Sequence, residues 1–281
     1  MKLLFFLIFT AALTLTAAPR QLLVDQDNPE NWKGMVKYAP GSARGKGTCF
    51  LLYGRYPTRL TFARMIPISA EKRYTLKACF RTVDPQLPAS AYLGLELYDV
   101  KKRLIGHCHV VTYAGTESEV VSARKGDAFL IVKANPIYKK MKINVVAFGA
   151  KKDYSDIPNF DISPQTKGVK DMPGGNMQIL LKKPLKKDYP AGTPIRLQSP
   201  WSPSMYGLAS GWMPAGDGVE RTAILEGIKS VPGTRQEKIC QFWKGTKYVR
   251  PFVWFGNWNR KPKKGAQLLV DGFSFVEEDK K

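Results

Sequence analysis

Histidine occurs twice in the 281 residues and cysteine four times, and this scarcity closes off several kinds of chemistry. A Ser-His-Asp triad would have to use His107 or His109, and no Gly-x-Ser-x-Gly nucleophile elbow is present to serve it. Cys49, Cys79, Cys108 and Cys240 include no Cys-x-x-Cys pair, which excludes a zinc ribbon or a thioredoxin-like centre. No Asn-x-Ser/Thr sequon occurs. Helical periodicity is scarce, and past the first residues no apolar run reaches 18, so no membrane-spanning helix is expected. Acidic residues are few: 23 against 44 Lys plus Arg, a net charge of +21.

The opening segment reads as an address. Met1-Lys2 is followed by the apolar run Leu3 to Leu15 and then Thr16-Ala17-Ala18, the pattern of a secretory signal peptide over residues 1–18. Spanning a bilayer takes ~20 apolar residues, more than this run supplies. Pro19 disfavours a cut directly before it, so cleavage after Ala17 is as plausible as after Ala18, and no cysteine follows to carry a lipid anchor. The expected location is secreted, periplasmic or on the cell surface. There the cysteines can oxidise in any of three connectivities or persist as buried thiols.

The rest of the chain, 19–281, carries strand signals almost throughout. Pro 20, Gly 24 and 11% aromatic residues suit a turn-rich β fold better than a helical bundle. In Arg73 to Thr82 the residues Tyr74, Leu76, Ala78 and Phe80 alternate with Thr75, Lys77, Cys79 and Arg81, the period-2 pattern of a half-buried strand. Further strands are expected at Thr48–Tyr53, Arg59–Met65, Ala91–Val100, Leu104–Tyr113, Asp127–Lys133, Lys142–Phe148 and Met177–Leu181. The pattern continues at Pro194–Gln198, Thr222–Ile228, Ile239–Trp243, Lys247–Phe255 and Gln267–Val276. Lys151 to Asn176, with Pro158, Pro164 and Pro173, lacks periodicity, and the expectation is one domain carrying an irregular insertion around 124–176. That segment is open to three readings: a linker, a lid or an active-site loop.

Two strands place aliphatic side chains opposite aromatic and charged ones. Tyr248, Arg250, Phe252 and Trp254 oppose Val249, Pro251, Val253 and Phe255, while Tyr92, Glu96 and Tyr98 oppose Leu93, Leu95 and Leu97. Flat rings stack on the apolar faces of sugars, and Arg and Glu hydrogen-bond hydroxyl or acidic groups. Tyr92, Glu96, Tyr98, Tyr248, Arg250 and Trp254 are therefore the candidate ligand-binding residues, with Trp201, Tyr206, Trp212 and Trp258 in Pro/Gly/Ser/Asn-rich loops as secondary candidates. The competing reading packs these rings into the core.

Two stretches carry a resemblance. Ile66 to Arg81, with Tyr74, Leu76 and Arg81 in an early strand, is followed by Leu93, Glu96, Tyr98 and Asp99 at a strand end. Leu269-Val270-Asp271-Gly272-Phe273-Ser274-Phe275 then looks like a closing strand. Together they resemble the carbohydrate-binding modules of secreted bacterial proteins, in the galactose-binding-like group. The resemblance implies an all-β jelly-roll β-sandwich, to which the region from Arg124 to Asn176 is an addition. It also implies a role for Asp271 like the calcium-side aspartate of that group, with Asp25 and Asp27 joining it if the terminal strands pair. An Asp capping the turn at Gly272 is the plainer alternative.

His107 and His109 on a strand would point the same way, yet no third metal ligand is identifiable. Glycoside hydrolysis needs two carboxylates at a defined separation, and only Glu96 falls on the aromatic face, so a non-catalytic protein is favoured over a glycosidase or lyase. Lysine groups at 139–142, 182–187 and 260–264 favour polyanions, and outside the cell these are anionic or plant/host polysaccharides rather than nucleic acid. A surface adhesion protein remains the third alternative. The first expectation is testable directly: N-terminal sequencing of exported protein should begin at Ala18 or Pro19, and retention of Met1 would refute the leader.

Overall fold

The computed structural model describes residues 18–24, 27–34, 36–40, 48–53, 58–84, 86–87, 89–141, 143–200, 205–213, 219–228, 241–256 and 264–280. The chain is all-β. Its first strands are β1 (Arg20–Gln21), β2 (Trp32–Lys33), β3 (Val36–Pro40), β4 (Thr48–Tyr53), β5 (Thr58–Phe62) and β6 (Ile66–Pro67). They are followed by β7 (Lys72–Thr82), β8 (Ala89–Tyr98), β9 (Leu104–Ile105) and a single helical turn, α1 (His107–Val110). A middle group comprises β10 (Ser118–Ser122), β11 (Phe129–Lys133), β12 (Val145–Phe148), β13 (Thr166–Met172), β14 (Asn176–Leu181) and β15 (Pro194–Gln198). The chain closes with β16 (Met205–Met213), β17 (Val219–Glu226), β18 (Tyr248–Phe255) and β19 (Gln267–Asp279).

These strands form three antiparallel sheets. One runs β17-β7-β19-β4-β3 with β1 on β19, and a second runs β16-β8-β18-β5-β2 with β6 on β18 and β9 on β8. They pack face to face as a β-sandwich with one shared core. Tyr74, Leu76 and Phe80 of β7 and Phe275 of β19 meet Leu93, Leu95 and Leu97 of β8 and Val249, Val253 and Phe255 of β18. The alternation in the sequence thus assigns the buried sides of β7, β8 and β18. The third sheet, β12-β15-β10-β11-β14-β13, has a core of its own from Leu130, Val132, Ile179, Leu181, Ile195 and Leu197.

β19 changes phase partway along. Leu268 and Val270 face the core in its first half, Phe273 and Phe275 in its second. The switch from even to odd positions occurs at a bulge between Asp271 and Ser274, where Gly272 takes φ 59°, a left-handed conformation that favours glycine. Asp271 is left on the outer face opposite Cys79, and Cys49 lies one residue before Phe50, the partner of Val270. β19 therefore separates Cys49 from Cys79 by two strand spacings, ~10 Å, beyond the Cα separation a disulfide spans. Of the three connectivities, the one joining these two is excluded. Cys240 lies outside the described residues.

Three sequence expectations are corrected. Leu104–Tyr113 is not one strand: after β9 the chain turns at Gly106, whose N–H donates to Nδ1 of His109 at 2.9 Å, and α1 follows. Within 124–176 the strands expected at Asp127–Lys133 and Lys142–Phe148 form as β11 and β12, but the aperiodic part, Lys151–Asn176, is not irregular throughout, since it contains β13. β13 reads as polar because it is the edge of its sheet: Val169 packs on the core while Lys167 and Lys170 stay in water. Tyr206 and Trp212 are in a strand rather than loops, because β16 pairs along β8 despite its Gly and Ser content.

The remaining loop, residues 149–165, is fixed by a buried ion pair. Asp156 accepts from Arg196 Nη2 at 2.8 Å, from Asn159 Nδ2 at 3.0 Å and from the Lys151 N–H at 3.0 Å. Arg196 is 1% exposed, donates to the Lys151 carbonyl at 3.2 Å and lies over the Tyr154 ring. Breaking such a pair strands a buried charge. Asp156→Ala should lower unfolding free energy by ~3–5 kcal/mol, and the double change Asp156→Leu/Arg196→Met by less, measured by urea titration.

Candidate functional site

β8 and β18 are neighbours, and their register decides the site. Tyr248 pairs with Tyr98, Arg250 with Glu96, Phe252 with Gly94 and Trp254 with Tyr92. Residues directly opposite in an antiparallel ladder share a face, so all six candidates lie on one side of the sheet, away from the sandwich core. β5 adds Arg59 opposite Trp254 and Thr61 opposite Phe252.

The centre of this face is ionic. Glu96 is 8% exposed. Its Oε1 lies 3.0 Å from Arg59 Nη2, and its Oε2 accepts from Arg250 Nε at 2.9 Å with Nη2 at 2.7 Å. Tyr98 donates its hydroxyl proton to the same Oε2 at 2.5 Å and accepts from Arg250 Nη2. Burial and the bond to Glu96 push the Tyr98 hydroxyl up to about 12, so it stays protonated and serves as a donor. Phe252, fully buried, floors the cluster, with the Arg59 guanidinium 4.0 Å above its ring centre. Tyr98 and Glu96 are thus internal, whereas Tyr92, Tyr248, Arg250 and Trp254 are half-buried. Tyr92 and Trp254 sit 6.4 Å apart with a 53° tilt.

Arg59 and Phe252 complete a cluster that the six candidates leave unfinished. The signal for Arg59 was present in the alternation of Arg59 and Thr61 with Leu60 and Phe62, but its partner is distant in sequence. The backbone of β16 puts Tyr206 opposite Gly94 and Trp212 opposite Ser90. Trp201 and Trp258 lie outside the described residues.

Among the described residues Asp271 meets no set of carboxylates. The terminal strands do pair, Arg20 with Glu277 and Gln21 with Val276, yet Asp271 lies among Cys79, Cys49 and Arg81, while Asp27 is exposed. Asp25 lies outside the described residues. Among the described residues no three His, Cys, Asp or Glu side chains converge as metal ligands. The histidines diverge as α1 turns: His107 packs edge-on against Trp243, and His109 against Phe160, which also carries the Arg103 guanidinium.

No family model matches this chain, and no curated protein does. Among solved structures, a chain of the "Structure of infectious bursal disease virus Gx strain" is similar over 88% of this chain, at 11% identity and TM-score 0.19. The alignment covers 40% of that chain's length. At that TM-score the likeness carries no argument about fold or function.

His109 supplies a pH test. Burial, and secondarily Arg103, lowers its pKa from 6.5 to about 4, and its Nδ1 must stay unprotonated to accept from Gly106. A depressed folded-state value means that this histidine's contribution is complete above 6.5 and is lost as pH falls toward 4. The melting temperature should drop across that window, and His109→Gln should flatten the drop when the two are compared by calorimetry.

Proposed function

We propose that this chain is a secreted, non-catalytic glycan-binding protein whose ligand lies along the β8–β18 face. The observation that carries this reading is the register itself, which sets the Tyr92–Trp254 and Tyr98–Tyr248 pairs on either side of the Arg250–Glu96 pair. Half-buried rings at Tyr92, Trp254 and Tyr248 offer flat apolar surface for sugar rings, and the ionic cluster between them keeps the sheet from yielding. A ligand spanning both ring pairs would cross several sugar units, which favours a polymer over a monosaccharide.

The chemistry of the cluster favours holding over turnover. Glu96 is the one carboxylate that β5, β8 and β18 contribute to this face, and it is taken up by two guanidiniums. A glycosidase divides its work between two carboxylates, and a lyase needs a base that loses its proton near neutrality. Tyr98, pushed up to about 12, does not fit that role.

The basic groups supply a weaker, screened attraction. Lys133, Lys139 and Lys187 are each paired with an acid, Glu119, Asp171 and Asp161 respectively. The test is therefore best run in salt. With a glycan identified on an array, Trp254→Ala should weaken binding by ~1–3 kcal/mol at 0.5 M NaCl, on the scale of ring stacking against bases. A folded Trp254→Ala protein with unchanged affinity for every bound glycan would overturn the reading.

A further inference from the structure

The geometry points to an acidic-group subsite at Arg250, making the ligand class a glycan that carries carboxylate or sulfate on its sugars. This rests on the glycan-binding reading of the same face and deepens it. The argument starts from how Arg250 is held. Its Nε and Nη2 edge is committed inward, to Glu96 Oε2 and to the Tyr98 hydroxyl. The Tyr98 hydroxyl is oriented in turn, because its proton goes to Glu96. The guanidinium is therefore fixed in rotation as well as position.

The opposite edge is different. Among the described residues Nη1 of Arg250 makes no hydrogen bond, and it is not among the buried polar atoms. The side chain is 21% exposed, so this edge presents its two N–H groups outward. A guanidinium clamped on one side by a carboxylate is pre-organised to accept an oxyanion on the other, with little ordering left to lose on binding.

Charge supports the same ligand. Arg59 and Arg250 share Glu96, so the cluster keeps a net positive charge on a floor made by the Phe252 ring. Low dielectric strengthens the pull on an anion there relative to a surface lysine. Tyr248, two residues from Arg250 on the same face, is placed to take the sugar ring whose acidic substituent reaches Nη1. A neutral glycan leaves that edge solvated and gains nothing from it. Uronates and sulfated sugars share the required chemistry, and Glu96 and Tyr98 act as positioning residues for it.

The experiment compares matched pairs on the mature protein at 0.5 M NaCl, where diffuse attraction to lysines is screened. The probes are polygalacturonate, alginate, heparin and carrageenan, each against its methyl-esterified or desulfated form, in calorimetric titrations. At least one acidic glycan should bind about ten- to a hundred-fold more tightly than its neutralised partner, the range of a charge-assisted hydrogen bond. A uronate pair and a sulfate pair report separately which oxyanion is read. Arg250→Gln should abolish the preference, and Arg250→Lys should keep the fold and lose most of the preference. Equal binding of acidic and neutralised forms by the wild-type protein would overturn the subsite and leave the glycan reading standing. An unchanged preference in Arg250→Lys would also overturn it. Failure of the wild-type protein to bind any of these glycans or their neutral forms would overturn both.

Discussion

A carboxylate on a sheet face can be buried only if cations come to it, and Glu96 draws them from both flanks. Arg250 is its cross-strand partner on β18, and Arg59 reaches it from β5, the next strand over, across the ring of Phe252. Once both guanidiniums are in place, the relative slide of these three strands is set, because a shift of one residue would send each of these groups into the hydrophobic interior. The half-exposed rings around the cluster inherit their spacing from that constraint.

Much of this face was legible before any pairing was known. Alternation in Tyr92–Tyr98 and in Tyr248–Trp254 separates aromatic and charged positions from the Leu93, Leu95, Leu97 and Val249, Val253 side, and burial follows that division at Tyr92, Tyr248, Arg250 and Trp254 but not at Glu96 and Tyr98. The division has limits. Phe252 is as buried on the outward side as Val253 is on the inner, because a guanidinium covers it. No periodicity announces a covering group that arrives from another strand. The adjacency of β8 and β18 was equally out of reach, since Glu96 and Arg250 lie 154 residues apart and their pairing depends on how the whole sandwich closes.

The misread elements share a different cause. β13 and β16 are both edge strands, partnered on one side only, and their sequences carry the Lys, Gly and Ser expected of loops. Local propensity says little there because the neighbouring strand supplies the order. The histidine segment failed for the opposite reason. Its residues fit a strand, but a single hydrogen bond from the Gly106 amide to a ring nitrogen closes a turn that propensity does not encode.

The bulge in β19 has a consequence for how this chain can vary. Because the core side moves from even to odd positions at Gly272, the strand works as two half-strands whose hydrophobic phases are offset by one residue. Substitutions that respect size can accumulate on either half, but the strand cannot grow by one. Gain of one residue beside the bulge, or flattening of the bulge at the present count, would swing either Leu268 and Val270 or Phe273 and Phe275 out of the interior, whereas loss of the extra residue would bring both halves into one phase. The closing strand of the sandwich is thereby free to change its composition and bound not to lengthen by a single residue.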